Sequence, residues 1–338
     1  MNPSRLHPLL ATLRIANMPS VICNVWLGIA LAHTSHFTVN AFSSSAPKII
    51  YLIAAGLCLY AAGNLLNDWK DRAWDQIHRP ERALPSGHFK PATYLVSSAI
   101  LTAIAISLAA FASHKSGITA ALIAASIGIY THWHKGHAWT VIPMGLCRAL
   151  LPVMGFLSFE ISFDRWMEIS LFGRMKLPSG VSSLLSIDHV FFSSILWIIP
   201  HALALFFYIM GLSLSARAES NPHATTGETW IARSLLIASI LAMSVWWIPY
   251  APLPALIGIL PILFWLTLCL TRFRKPIPAH VSALLAGIPL LDWAALIPLA
   301  ASLSPKTSEI DWLTTTSLIL PPIAFLTGRL LQRVAPAT

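Results

Sequence analysis

The sequence predicts an all-α polytopic membrane protein, and three observations lead there. Charged residues are 10% of the chain, against roughly 25% in an ordinary soluble domain. Apolar runs of about 20 residues, the length needed to cross a hydrocarbon core ~30 Å thick, recur from one end of the chain to the other. The runs are continuous, whereas a membrane β-barrel would alternate apolar and polar positions. A single transmembrane domain over residues 1–338 is therefore expected, not a soluble enzyme carrying an anchor.

The predicted spans, in order, are 15–33, 48–67, 91–112, 117–133, 138–159, 190–214, 231–249, 253–270, 281–302 and 312–331. That gives ten helices, or nine if one pair is a single broken helix. The first run starts near Ile15 and resembles a signal peptide, but it is long, opens on Pro19-Ser20 and has no small-x-small cleavage site, so it reads as a retained helix. The fifth span contains Arg148 and the ninth contains Asp292. An ionisable residue at membrane depth faces a partner or a cavity by default. For Arg148 a substrate or carboxylate partner is the favoured reading; for Asp292, a structural pairing with a buried arginine. Between the fifth and sixth spans, Trp166, Met167, Ile169, Leu171 and Phe172 suggest a helix lying on the bilayer surface.

Placing the N-terminus in the cytoplasm collects most of the Lys and Arg on the inner side, as the positive-inside rule requires. The basic charge therefore orients helices and needs no nucleic-acid partner. The four cysteines, Cys23, Cys58, Cys147 and Cys269, lie inside apolar segments without paired spacing and read as small hydrophobes.

Chemistry is concentrated directly after the second span, in Asn64-Leu-Leu-Asn67-Asp68-Trp-Lys-Asp71-Arg-Ala-Trp-Asp75, followed by Arg82-Ala-Leu-Pro-Ser86-Gly87. In a helix, Asp68, Asp71 and Asp75 stand at i, i+3 and i+7 and share one face, which Asn64 extends. Like charges in a row repel at rest. They become favourable with divalent cations between them, and Mg²⁺ held by a few carboxylates plus substrate phosphates is a common arrangement.

This pattern resembles the UbiA superfamily of intramembrane prenyltransferases, whose members carry N-D-x-x-D-x-x-x-D and then R-P-x-x-S-G in the loop after the second helix. Asn67, Asp68, Asp71 and Asp75 fit the first part. Arg82, Leu84, Pro85, Ser86 and Gly87 fit the second, with Ala83 where the family has proline. Arg14, Asn17, Pro19 and Asn24 resemble the family's first-helix pattern, Tyr130 and Lys135 its Y-x-x-x-K region with the lysine one residue late, and Met144–Arg148 the fifth helix of a divergent, EboC-like branch. The family's second Asp-rich motif is reduced here to Glu219, with His223 four residues on.

The resemblance implies a UbiA-like helical bundle with a central cavity open to lipid, and transfer of an isoprenoid chain from a prenyl diphosphate to an unknown acceptor. It implies Asp68, Asp71, Asp75 and Glu219 as Mg²⁺ ligands and Asp68, Asp71, Asp75, Lys135 and Arg148 as the catalytic set. Substrate would be bound by Asn17, Asn64, Asn67, Arg82, Tyr130 and Arg217. The expected setting is a bacterial inner membrane, with the site facing the cytoplasm and membrane lipid around the cavity. The alternative is an isoprenoid- or lipid-binding carrier on the same scaffold without catalysis, motivated by the eroded second motif.

Overall fold

The structure, a computed structural model, describes residues 3–33, 41–133, 138–159, 187–220, 226–302 and 312–335. Within that set the side chains at some helix ends, Glu219 among them, are not described. The surface helix expected around Trp166–Phe172 lies outside the described residues, as does Lys135.

Every regular element among the described residues is helical. They are α1 (Pro3–Thr12), α2 (Met18–His33), α3 (Ala41–His78), α4 (Pro91–Ala112), α5 (His114–Trp133), α6 (Val141–Phe156), α7 (Ile187–Ser220), α8 (Thr226–Val245), α9 (Pro252–Thr271), α10 (Ile277–Ala286), α11 (Ile288–Ser302) and α12 (Trp312–Leu331). Each predicted span falls on one or more of these helices. Among the described residues, Ile15–Ala32, Ala46–His78, Pro91–Ala112, Trp197–Arg217, Pro252–Thr271 and Ile277–Ser302 are long and apolar enough to cross a membrane, and Val141–Phe156 and Trp230–Val245 are shorter apolar helices. Large apolar side chains stand on the outside, with Phe111 76% exposed, Phe264 68% and Leu253 66%. In water such a surface would aggregate; against lipid it is the surface that costs least. The chain is an integral membrane protein.

The structure departs from the predicted spans at two places. The second does not stop at residue 67: α3 continues to His78, so the acidic motif occupies its last turns and is not in a loop. The apolar run ends at Leu66, but the helix is carried on by side-chain links along its polar face, described below. The ninth span is two helices, α10 and α11, divided at Gly287. Pro289, in the first turn of α11, has no N–H to bond back into α10, and Gly287 lies against the Tyr208 hydroxyl and the Trp265 ring, where a Cβ would clash.

Packing at the centre is set by small residues. A Cβ on Gly28 of α2 would lie on the Pro152 carbonyl of α6, and one on Gly155 of α6 would lie 2.5 Å from the Val25 carbonyl oxygen of α2. The two backbones therefore touch, the usual outcome where helices in lipid gain from close van der Waals contact. Around this contact the fully buried side chains include Leu27, Ile29, Leu52, Leu59, Met154 and Phe156. At the end of the bundle away from the acidic motif, Ser113 and Ser116 donate hydroxyls to Leu157 O (3.0 Å) and Met154 O (2.8 Å), so the α4–α5 turn satisfies carbonyls at the end of α6.

Replacing Gly28 by Val should therefore fail to keep α2 against α6. Overpacking a rigid contact costs ~1–3 kcal/mol, and backbone against backbone stands at the upper end. The measurement is the detergent-solubilised unfolding midpoint; an unchanged midpoint in Gly28→Val would contradict the contact.

Candidate active site

α3 is the spine of the site. Tyr60, Asn64, Asn67, Asp68, Asp71 and Asp75 recur at helical spacing along it, and the three carboxylates are nearly buried, at 8%, 7% and 2% exposure. Three buried anions on one helix face need positive charge close by. Two arginines from other parts of the chain supply it. Arg14 donates through one terminal nitrogen to Asn64 Oδ1 (3.2 Å) and through the other to Asp68 Oδ1 (3.4 Å). Arg82 donates to Asp75 Oδ2 at 2.9 Å and its same nitrogen lies 3.6 Å from Asp68 Oδ1. Asp68 thus stands between two guanidinium groups. Asp71 accepts from Asn67 Nδ2 at 3.3 Å, one helical turn away.

Both arginines are held by unusual local backbone. Arg14 sits between α1 and α2 with φ 47° and ψ 51°, the left-handed region. A side chain there costs roughly 1–2 kcal/mol, and α3 holds it in place. Asn64 Nδ2 donates to Leu13 O (3.2 Å) and the Tyr60 hydroxyl to Arg14 O (3.5 Å), which also accepts from Asn17 N–H (3.0 Å), so polar groups of α3 bind the carbonyls of the turn after α1. Burial pushes the Arg14 guanidinium down, but Asp68, Tyr60, Tyr130 and Asp71 together more than offset this and hold its pKa above the ordinary value. Arg82 is placed by a compact turn in which Ser86 N–H donates to Arg82 O (3.0 Å) and His88 N–H to Ala83 O (3.1 Å). Gly87 adopts φ +77°, which only glycine takes without strain. Ala83 and Leu84 are buried, and Leu84 packs with Leu65 and Tyr94, which anchors the turn on α3 and α4.

Beside this charged row lies a pocket enclosing about 700 Å³ of space, its open mouth included. Arg14, Asn64 and Asn67 line its polar end, and Tyr130 and Thr131 of α5 face them. Its deeper wall is mostly apolar, built by Leu59, Ile123, Ile127, Met144 and Leu151, with Tyr60 and Arg148 interrupting it. Arg148 donates to Asn24 Oδ1 (2.9 Å), and Asn24 Nδ2 donates to Asp292 Oδ2 (2.7 Å). The guanidinium also lies 5.4 Å over the Tyr60 ring.

The carboxylate row suits a hard divalent cation but not a closed cage. Asp68 and Asp75 are separated by about 10 Å along the helix axis, and among the described residues no three His, Cys, Asp or Glu side chains converge on one point. Mg²⁺ is bound in this manner, through one or two carboxylates, with water and phosphate oxygens completing an octahedron. A further donor is on hand: Asn67 Oδ1 is buried and accepts no hydrogen bond within the described residues.

The structure gathers most of the residues singled out by sequence. Asn64, Asn67, Tyr130 and Arg148 line the pocket, and Asp68, Asp71, Asp75 and Arg82 form the charged row beside it. Asn17 is buried in the turn before α2 and is not part of the pocket wall. Arg217 donates to Thr140 Oγ1 at 3.2 Å, which ties the end of α7 to the start of α6, and it too is absent from the wall. Glu219 is in the last turn of α7. Arg14 was not among the predicted site residues although it is central; its signal was the Arg14-x-x-Asn17-x-Pro19 pattern at the first span. Asp292 was read as pairing with a buried arginine; among the described residues it instead accepts from Asn24, which in turn accepts from Arg148.

Residues 21–304 match the model of the UbiA prenyltransferase family. The chain belongs to that family. It is 34% identical over 141 residues to protoheme IX farnesyltransferase of Thermosynechococcus vestitus, covering 38% of this chain and 42% of that one. It is 32% identical over 93 residues to digeranylgeranylglyceryl phosphate synthase of Natronomonas pharaonis, covering 28% of this chain and 34% of that one. The similar stretches thus span less than half the length of either relative. The fold is similar to the apo structure of a UbiA homologue from Aeropyrum pernix K1, with a TM-score of 0.51 and 14% identity over 94% of this chain and 98% of that one.

The Arg82–Asp75 pair can be tested without any ligand. Arg82→Met strands a buried carboxylate, which costs ~3–5 kcal/mol for a fully buried pair and less here, since Arg82 is partly exposed. The unfolding midpoint should fall, and Asp75→Asn in the same protein should recover most of the loss. Equal midpoints for the single and double variants would show that the pair is not coupled.

Proposed function

We propose that this protein is an intramembrane prenyltransferase, moving an isoprenoid group from a prenyl diphosphate to an acceptor with Mg²⁺-assisted loss of diphosphate. The observation that carries the reading is a buried acidic row, flanked by fixed arginines, beside a mostly apolar pocket in a membrane bundle. Family membership supports the reaction class.

In this reading Asp68 and Asp71 hold the cation, with Asn67 Oδ1 as a further donor, and Glu219 is the candidate for a second site. When bound, Mg²⁺ acts as a Lewis acid that neutralises the charge growing on the leaving diphosphate. The residues of the chain do the rest. Arg14 and Arg82 present fixed positive charge to the same oxygens, and Lys135 and Arg217, near the ends of α5 and α7, add to it. Asp75 holds Arg82, and Asn64 holds Arg14. Leu59, Ile123, Ile127 and Leu151 take the isoprenoid chain and exclude water from the allylic carbon. Tyr130, on the pocket wall near Arg14, offers its π face to positive charge developing there. The site opens to the cytoplasm in this reading, which the basic bias of the loops supports, and the membrane is a bacterial inner membrane.

The experiment is diphosphate release by purified protein in nanodiscs, with geranyl, farnesyl and geranylgeranyl diphosphate, pooled acceptors, and Mg²⁺ present or absent. Release should require Mg²⁺, and Asp71→Ala should lower it by about 10² or more while leaving the protein folded. Full activity in Asp71→Ala would contradict the reading. Saturable prenyl diphosphate binding without release, whatever the acceptor, would favour a carrier instead.

A further inference from the structure

The deeper wall of the pocket contains a cation that the carboxylate row does not account for. Arg148 stands midway along α6 and is 7% exposed. A guanidinium has five N–H donors. Among the described residues Arg148 uses one of them, toward Asn24. Donors left unmet in a buried place are costly, yet the side chain is not simply stranded. Asn24 and Asp292 are both 0% exposed and connect α6 to α2 and α11 through bonds of 2.9 and 2.7 Å. Accepting from Arg148 and donating to Asp292 fixes the Asn24 amide in one orientation. Asp292 Oδ1 accepts no hydrogen bond within the described residues, so this carboxylate is not there to complete a local network. Its Oδ2 holds the Asn24 amide that in turn accepts from Arg148.

Position decides what the free donors are for. Arg148 lies over Tyr60, which precedes Asp68 on α3 by eight residues, or about 12 Å along the helix axis. Its neighbours on the wall are apolar. An isoprenoid chain carries no oxygen to meet a guanidinium, and the diphosphate belongs at the carboxylate row. The remaining reactant is the acceptor.

We propose that Arg148 is the acceptor subsite, binding a carboxylate or carbonyl oxygen of the non-isoprenoid substrate, and that Asn24 and Asp292 are positioning residues that hold its guanidinium edge toward the pocket. This rests on the transferase reading and replaces a role for Arg148 at the diphosphate. A carboxylate would be met by two parallel N–H donors and a carbonyl by one or two.

The test separates donor from acceptor. Arg148→Met combined with Asp292→Asn removes the guanidinium and the buried acid together, and an unfolding midpoint measured beside wild type establishes that the variant is folded. In this protein the Kd for geranylgeranyl diphosphate with Mg²⁺ should stay within about twofold of wild type; a loss of about tenfold would place Arg148 at the diphosphate and overturn the proposal. With the acceptor that the pooled assay consumes, the same variant should raise the acceptor KM by about tenfold or more and leave the donor KM unchanged. Asn24→Ala and Asp292→Asn should shift the acceptor KM in the same direction, and Arg148→Lys should restore part of it. If the acceptor is an acid, its methyl ester should lose its disadvantage in the Arg148 variant; if it is a carbonyl compound, removing the carbonyl should cost wild type and not the variant. An unchanged acceptor KM, or both KM values rising together, would overturn the proposal. Absence of release by wild type with any acceptor defeats the transferase reading instead, and the donor-binding arm still decides whether Arg148 serves the diphosphate.

Discussion

Three carboxylates nearly buried at the end of a membrane helix impose the constraint on which the rest of this structure depends. Asp68, Asp71 and Asp75 can remain ionised there only with cations held close to them. This accounts for the strained backbone at Arg14, for the tight turn closed by Gly87, and for the polar face of α3, whose Asn64 and Tyr60 bind the turn that presents Arg14. It also explains why α3 outruns its hydropathy. The extra turns are held by Asn67–Asp71 and Arg82–Asp75, which tie the end of the helix to itself and to the following turn, and by Trp69, packed against the Leu65, Leu84 and Tyr94 cluster.

The same economy links the pocket to the packing of the bundle. Gly28 is one helical turn after Asn24, and Pro152 one turn after Arg148, so the point where α2 and α6 touch lies directly beside the Arg148–Asn24 bond. A bulkier residue at Gly28 would push the helices apart and part the relay as well as the core. The charged row and the relay are thus two polar features on a common apolar frame, one at the end of α3 and one deeper in the wall.

Much of this was legible in sequence because it is local. The spacing of the three aspartates foretold a shared helix face, the apolar runs located the helices, and the motif pointed to the family. What was not legible is what the chain brings together from afar. Arg14 meets Asp68 across 54 positions, and Asn24 meets Asp292 across 268. No local periodicity encodes either contact. Hydropathy likewise could not foresee that α3 would continue past residue 67 to His78, since its last turns are held largely by side-chain bonds, nor that Gly287 would divide the ninth span, since both halves are equally apolar.

The central claim is that the acidic row of α3 binds a divalent cation together with a diphosphate. Its most direct measurement is Mn²⁺ titration followed by electron paramagnetic resonance, with Mn²⁺ in place of Mg²⁺ and a non-hydrolysable prenyl thiodiphosphate as ligand. The account predicts saturable Mn²⁺ binding that strengthens when the analogue is present and is lost in Asp71→Asn. Mn²⁺ binding indifferent to the analogue, or intact in Asp71→Asn, would contradict it.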